Sequence, residues 1–172
     1  LDHIPIRRIH VMGGEPVMIK RYHEFIDYLI ANNRFEISLS FVTNGTLLNK
    51  ELVDKLKLFH RCDIEVSIEA VDQLNNYIRQ GSEINQLLSN IEYLISQQTD
   101  SFQLVLRTVP QALSISRYVN LVKYAWDRQI IIEGIPLTRP NFMQIKVLPF
   151  EYRQTLIPAF ETLRNDIAEH IK

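Results

Sequence analysis

The residues best suited to chemistry gather in short clusters, each at the end of a β-branched run. The first is Gly13-Gly14-Glu15-Pro16. Paired glycines let the chain turn sharply and bring its backbone against a ligand with no Cβ in the way; Glu15 adds a carboxylate and Pro16 stiffens the exit. The second is Thr43-Asn44-Gly45-Thr46, where asparagine and glycine tolerate positive φ. In the third, Val66-Ser67-Ile68-Glu69, alternation puts Ser67 and Glu69 on one face, and their oxygens can accept the hydrogen bonds of a ribose diol. Arg107 lies within an apolar run at 104–109. A guanidinium there needs a carboxylate or phosphate partner, which Glu69, Glu15 or the carboxylate of a ligand would supply. Taken singly, each cluster is also what an ordinary strand-to-helix turn or a backbone-capped side chain would look like.

Such clusters need a scaffold that brings strand ends together. Short runs rich in β-branched residues recur at 6–12, 36–42, 63–68, 102–109 and 129–132, with amphipathic stretches between them. Phe25, Ile26, Leu29 and Ile30 mark a first helix after Lys20. Leu52, Val53, Leu56 and Phe59 mark a second with Asn49 as N-cap, and Ile84, Leu87, Leu88, Ile91 and Ile95 a third opened by Ser82. Val119, Val122 and Trp126 belong to a fourth, and a last helix is expected over 151–171. Strand–helix alternation of this kind predicts parallel strands joined by crossover helices. In parallel α/β architectures ligands bind at the carboxyl ends of the strands, where these clusters fall.

The strands do not read as continuous apolar runs. Ile9 and Val11 oppose Arg8, His10 and Met12; Leu39 and Phe41 oppose Ser38 and Ser40; Ile64 and Val66 oppose Asp63, Glu65 and Ser67. One face therefore suits packing under helices and the other is partly polar, which predicts a partial barrel with a wet or ligand-filled lumen. The competing layout is an antiparallel-like sheet with one solvated face, which the helical crossovers disfavour.

Nineteen basic against twenty acidic side chains give none of the one-sided positive field expected of a nucleic-acid binder. No apolar run approaches the roughly 20 residues that span a bilayer, so a cytoplasmic protein without membrane contact is expected. The single cysteine, Cys62, excludes an internal disulfide and a multi-cysteine metal site within this chain, and reads as a small buried hydrophobe. His3, His23, His60 and His170 have no carboxylate or cysteine at metal-ligand spacing.

In combination, Gly-Gly-Glu-Pro, then Thr-Asn-Gly, then Val-Ser-Ile-Glu, then Tyr77-Ile78-Arg79-Gln80-Gly81-Ser82 resemble the radical SAM superfamily. The likeness is to members with a C-terminal auxiliary domain of the SPASM or twitch type that act on peptides or proteins. It covers about 8–149 and implies an α/β fold, a partial TIM-like barrel, with strands two to six of a six-stranded core. By residue, the resemblance implies that Gly13, Gly14, Glu15 and Pro16 receive the amino group of S-adenosylmethionine (SAM). Thr43 and Asn44 would line its site, and Ser67 and Glu69 would meet the ribose, where the family more often has Ser-x-Asp-Gly. Arg107 would hold the methionine carboxylate, and Gly134 and Ile135 would border the adenine.

The same resemblance implies a second cofactor, a 4Fe–4S cluster held by three cysteines in a CxxxCxxC loop, which reduces SAM to methionine and a 5′-deoxyadenosyl radical. That loop is not in this sequence. Residues 1–6 read as the approach to the family's second strand, so a truncated chain is expected, inactive by itself. The expected organisation is a partial radical SAM barrel over 1–140, with 141–172 a linker and helix leading toward an auxiliary domain. The implied partners are a peptide or protein substrate and an electron donor. Two other readings stand beside the enzyme: a degenerate barrel that binds a nucleotide or peptide without catalysis, and an unrelated TIM-like enzyme whose Gly-Gly-Glu-Pro is coincidental.

Overall fold

Five short strands pair in the order in which they occur along the chain. In a computed structural model that describes residues 5–170, β1 (Arg8–Val11), β2 (Ser38–Thr43), β3 (Arg61–Ser67), β4 (Phe102–Thr108) and β5 (Ile131–Gly134) form one parallel sheet in the order β1-β2-β3-β4-β5. His10 pairs with Ser40 and Ser40 with Asp63 across β1, β2 and β3. Sequential order in a parallel sheet requires a crossover after every strand. These are α1 (Lys20–Ala31), α2 (Lys50–Leu56), α3 (Leu74–Ile78) with α4 (Ile84–Gln97), and α5 (Ile115–Asp127); α6 (Phe150–His170) follows the last strand. Residues 1–4, 171 and 172, on which the expected first segment and last segment also fall, lie outside the described residues.

The alternation of the strands is realised as burial. Leu39, Phe41, Cys62, Ile64, Val66, Leu104 and Leu106 are buried together with the helix stripes Ile26 and Leu29, Leu52, Val53 and Leu56, and Leu87, Ile91 and Leu94. The opposite face is polar but not uniformly wet. Ser40 and Glu65 are buried there, the Ser40 hydroxyl lies 2.7 Å from His10 Nδ1, and a Glu65 carboxylate oxygen lies 3.6 Å from the same nitrogen.

Several boundaries differ from the sequence expectation for local reasons. Asn49 does cap α2, its side chain accepting the Leu52 amide at 2.9 Å. The cap of α4 is Glu83 rather than Ser82, because its longer carboxylate reaches the amides of Asn85 and Gln86 at 3.1 and 2.8 Å. β5 begins at Ile131, not 129. Gln129 takes φ 55° to close α5, and the Ile130 amide returns to the Ala125 carbonyl at 2.9 Å.

The chain divides into two compact units, one of Leu1–Ser67 and Ser82–Leu106, the other of Ile68–Gly81 and Arg107–Lys172. Residues 141–170 fall in the second unit, where Tyr118 of α5 stacks on Phe160 of α6 with ring centroids 6.3 Å apart.

Candidate functional site

In the first unit the glycine pair supplies a turn that other residues resist. Gly13 has φ +93° and Gly14 φ +60°, and nothing stands within 4 Å of where a Cβ would project from either. Their backbone is open to a ligand, and the requirement for glycine is conformational. Glu15 then caps the 3₁₀ turn Pro16–Met18, with proline at its first position and the Glu15 carboxylate accepting the Val17 amide at 3.3 Å.

That carboxylate also reaches the end of β2. One oxygen accepts the Thr43 hydroxyl at 2.6 Å and the other accepts the Asn44 amide at 2.6 Å. The Thr43 hydroxyl in turn accepts the Gly45 amide at 3.1 Å, while the Asn44 side chain accepts from the Thr46 amide at 2.9 Å and hydroxyl at 2.7 Å. Asn90 of α4 holds the far side of this turn through the Gly45 carbonyl at 2.7 Å. The first two sequence clusters are therefore one hydrogen-bonded assembly. Ser67, half-buried, ends β3.

The second unit contains Glu69, Arg107 and Ile135. Glu69 is buried, with one carboxylate oxygen accepting from Arg79 Nη1 at 3.1 Å. The other accepts from the Thr108 hydroxyl at 3.1 Å and the Val109 amide at 3.0 Å. Burial pushes this carboxyl above its ordinary value, against the pull of the Val109 amide, the Arg79 charge and the Thr108 hydroxyl. The guanidinium paired with Glu69 is thus Arg79, not Arg107. An Arg107 nitrogen instead lies 3.6 Å from the Glu133 carboxylate of β5. The Ile135 amide donates to the Thr108 carbonyl at 3.1 Å and its side chain is exposed. A Cβ on Gly134 would collide with the Tyr118 hydroxyl, so that glycine also has a packing role.

Sequence reasoning named neither Thr108 nor Asn75, whose side chain accepts the Glu69 amide at 2.9 Å. The available signal for Thr108 was its position, since like Thr43 it closes a strand just before the turn.

The residues present do not fit an iron–sulfur cluster. Cys62 is fully buried in β3, burial pushes its thiol far above the ordinary range, and among the described residues no three His, Cys, Asp or Glu side chains gather to hold a metal. In the first unit the backbone at Gly13 and Gly14 is open, and in the second the Arg107 side chain is 26% exposed.

A parallel sheet with helical crossovers, and strand ends that carry an open glycine turn, defines a ligand-binding α/β scaffold. The chain belongs to the radical SAM superfamily, whose family model, described as "Radical SAM superfamily", matches residues 1–109. That family uses SAM and a 4Fe–4S cluster. GTP 3',8-cyclase of Helicobacter pylori is 30% identical over 152 residues, which are 88% of this chain and 46% of that relative. Mycofactocin maturase MftC of Mycobacterium ulcerans is 24% identical over 95 residues, 55% of this chain and 25% of the relative. Among solved structures, Streptococcus suis SuiB bound to S-adenosylmethionine shares the fold with TM-score 0.62 at 20% identity, over 78% of this chain and 30% of its own. SuiB bound to precursor peptide SuiA gives TM-score 0.64 at 18% identity, over 92% and 36%. The chain therefore spans less than half the length of these relatives. No described helix is long and apolar enough to cross a membrane.

Proposed function

We propose that this chain is the SAM-binding part of an enzyme that reductively cleaves SAM and modifies a peptide or protein, with the cluster ligands supplied by residues other than those of this chain. The observation that carries the reading is the turn at Gly13 and Gly14, with positive φ at both and open space before both, in a chain of this superfamily. A reduced cluster held by other residues would supply one electron to SAM, which would release methionine and leave a 5′-deoxyadenosyl radical. The chain's own part is to bind and orient. Gly13, Gly14, Glu15 and Pro16 are assigned to the amino end, with Thr43 and Asn44 bordering it. Ser67 and Glu69 are assigned to the ribose end, Arg107 to the carboxylate and Ile135 to the adenine.

The peptide half of the proposal draws on SuiB, a fold neighbour solved with a precursor peptide. The GTP 3',8-cyclase relative makes a nucleotide the competing substrate class. A non-catalytic binding module is the second reading, favoured by the solitary buried Cys62.

The test is anaerobic reconstitution of the gene-encoded protein with iron and sulfide, followed by reductant and SAM. Release of 5′-deoxyadenosine is expected. A protein that loads no cluster, or loads one and forms no 5′-deoxyadenosine, leaves the binding-module reading.

A further inference from the structure

One set of carboxylate partners occurs twice. Glu15, past the end of β1, accepts the hydroxyl of Thr43, the last residue of β2, and the amide of the next residue, Asn44. Glu69, past the end of β3, accepts the hydroxyl of Thr108, the last residue of β4, and the amide of the next residue, Val109. Each carboxylate thus joins one strand's exit loop to the final threonine of the strand that follows.

We infer that Glu15 and Glu69 are positioning residues, strand-end staples that hold the SAM-binding backbone in place and do not themselves touch SAM. The inference rests on the SAM-binding reading above and changes the role of two side chains within it. That reading gives the two glutamates different parts of SAM, a cationic amino group and a neutral ribose. Direct recognition of groups so unlike would call for different partners around each carboxylate, whereas both take a strand-end threonine hydroxyl and the following amide, Glu15 on separate oxygens and Glu69 on one. What the sites share is the protein, not the ligand. Both Glu15 oxygens already accept hydrogen bonds from the chain, three in all. Glu69 has a side chain only 4% exposed and its charge is met by Arg79.

The staple also explains why threonine stands at both positions. Its hydroxyl donates to the carboxylate, and at Thr43 it simultaneously accepts the Gly45 amide, which passes the constraint into the turn. Loss of either end of the staple would free the Asn44 or Val109 backbone and weaken SAM binding indirectly.

The test is a double-mutant cycle on the cluster-loaded, gene-encoded protein, with the SAM dissociation constant read by equilibrium dialysis. Glu15→Gln and Thr43→Val should each weaken binding by about 10-fold, the double variant by about the same 10-fold, and Thr43→Ser should restore affinity to within about 2-fold. Thr43→Val binding SAM like the wild type, or a double variant weakened by the product of the singles (about 100-fold), would overturn the inference and make Glu15 a direct ligand. The Glu69 and Thr108 pair gives a second, independent cycle should Thr43→Val not fold. Amide exchange supplies a readout that needs no SAM: Glu15→Gln should speed exchange at Asn44 and Glu69→Gln at Val109, and unchanged protection at both refutes the staples. A cluster-loaded wild type that does not bind SAM would instead refute the proposed function.

Discussion

Arg79 donates to Glu69 at 3.1 Å and so joins two stretches of sequence that are separate signatures in the resemblance, Tyr77-Ile78-Arg79-Gln80-Gly81-Ser82 and Val66-Ser67-Ile68-Glu69. The pair is asymmetric in burial, with the glutamate side chain 4% exposed and the arginine 31%. The cation can reach water; the anion cannot.

Removing Arg79 therefore leaves a carboxylate in low-dielectric surroundings without its counter-charge. Arg79→Ala should cost about 2 kcal/mol at neutral pH, less than the full penalty for breaking a wholly buried pair because Arg79 is part-solvated. Adding Glu69→Gln to that variant should recover part of the loss, since a neutral amide tolerates burial better than an unpaired charge. Urea denaturation of the three variants checks this. Equal stability of Arg79→Ala and wild type would make the contact energetically idle.

The pH dependence has a definite sign. Burial raises the Glu69 carboxyl from 4.5, so the folded state keeps a proton at pH values where the unfolded chain has lost it. The stability tied to this group is fully present below 4.5 and is lost as pH rises through the raised folded value. Glu69→Gln cannot ionise and lacks that loss. Denaturation midpoints at a series of pH values should show the variant gaining on the wild type as pH rises, then running parallel to it. A difference independent of pH contradicts the direction of the shift.

Much of the fold was legible because burial in a sheet follows a period of two. Leu39, Phe41, Ile64 and Val66 fall on the buried face as alternation requires, and the expected stripe of α1 is buried at Ile26 and Leu29. Partner choice was not legible. Thr108 lies 39 positions from Glu69, and no local pattern in the sequence selects it over Arg107, which sits one residue earlier and bonds elsewhere. The end of α5 was hidden for a different reason. Gln129 adopts a left-handed conformation usually signalled by glycine or asparagine, so the sequence pattern starts β5 too early. The carboxylates of Glu15 and Glu69 look like ligand groups in sequence because nothing there reveals that strand-end threonines and amides already use them.

Two glycines separate the cost of conformation from the cost of crowding. Gly14 needs φ +60° but has free space, whereas Gly45 needs φ +74° and a Cβ there would lie 2.7 Å from Leu87 and 2.9 Å from Val66. Gly14→Ala should lose about 1 kcal/mol from backbone strain alone. Gly45→Ala adds overpacking against two buried side chains and should lose about 3 kcal/mol. Thermal or urea denaturation of both variants measures the gap, and equal losses would mean that Leu87 and Val66 move aside freely.

Arg107 distinguishes a ligand-binding cation from a structural one. Its 3.6 Å approach to Glu133 is longer than a good charge-assisted hydrogen bond, and Glu133 itself is 53% exposed, so that pair contributes little to stability. A guanidinium at a strand end has the planar fork that matches a ligand carboxylate, the role assigned to it at the methionine end of SAM. Arg107→Ala in the cluster-loaded protein should then weaken SAM binding by about 10-fold, a lysine at the same place should recover only part of it, and Glu133→Gln should leave the affinity near wild type. Equilibrium dialysis with SAM reads all three. If Arg107→Ala binds SAM normally while losing thermal stability, the guanidinium serves the protein's own ion pairs and the carboxylate of SAM is held by another group.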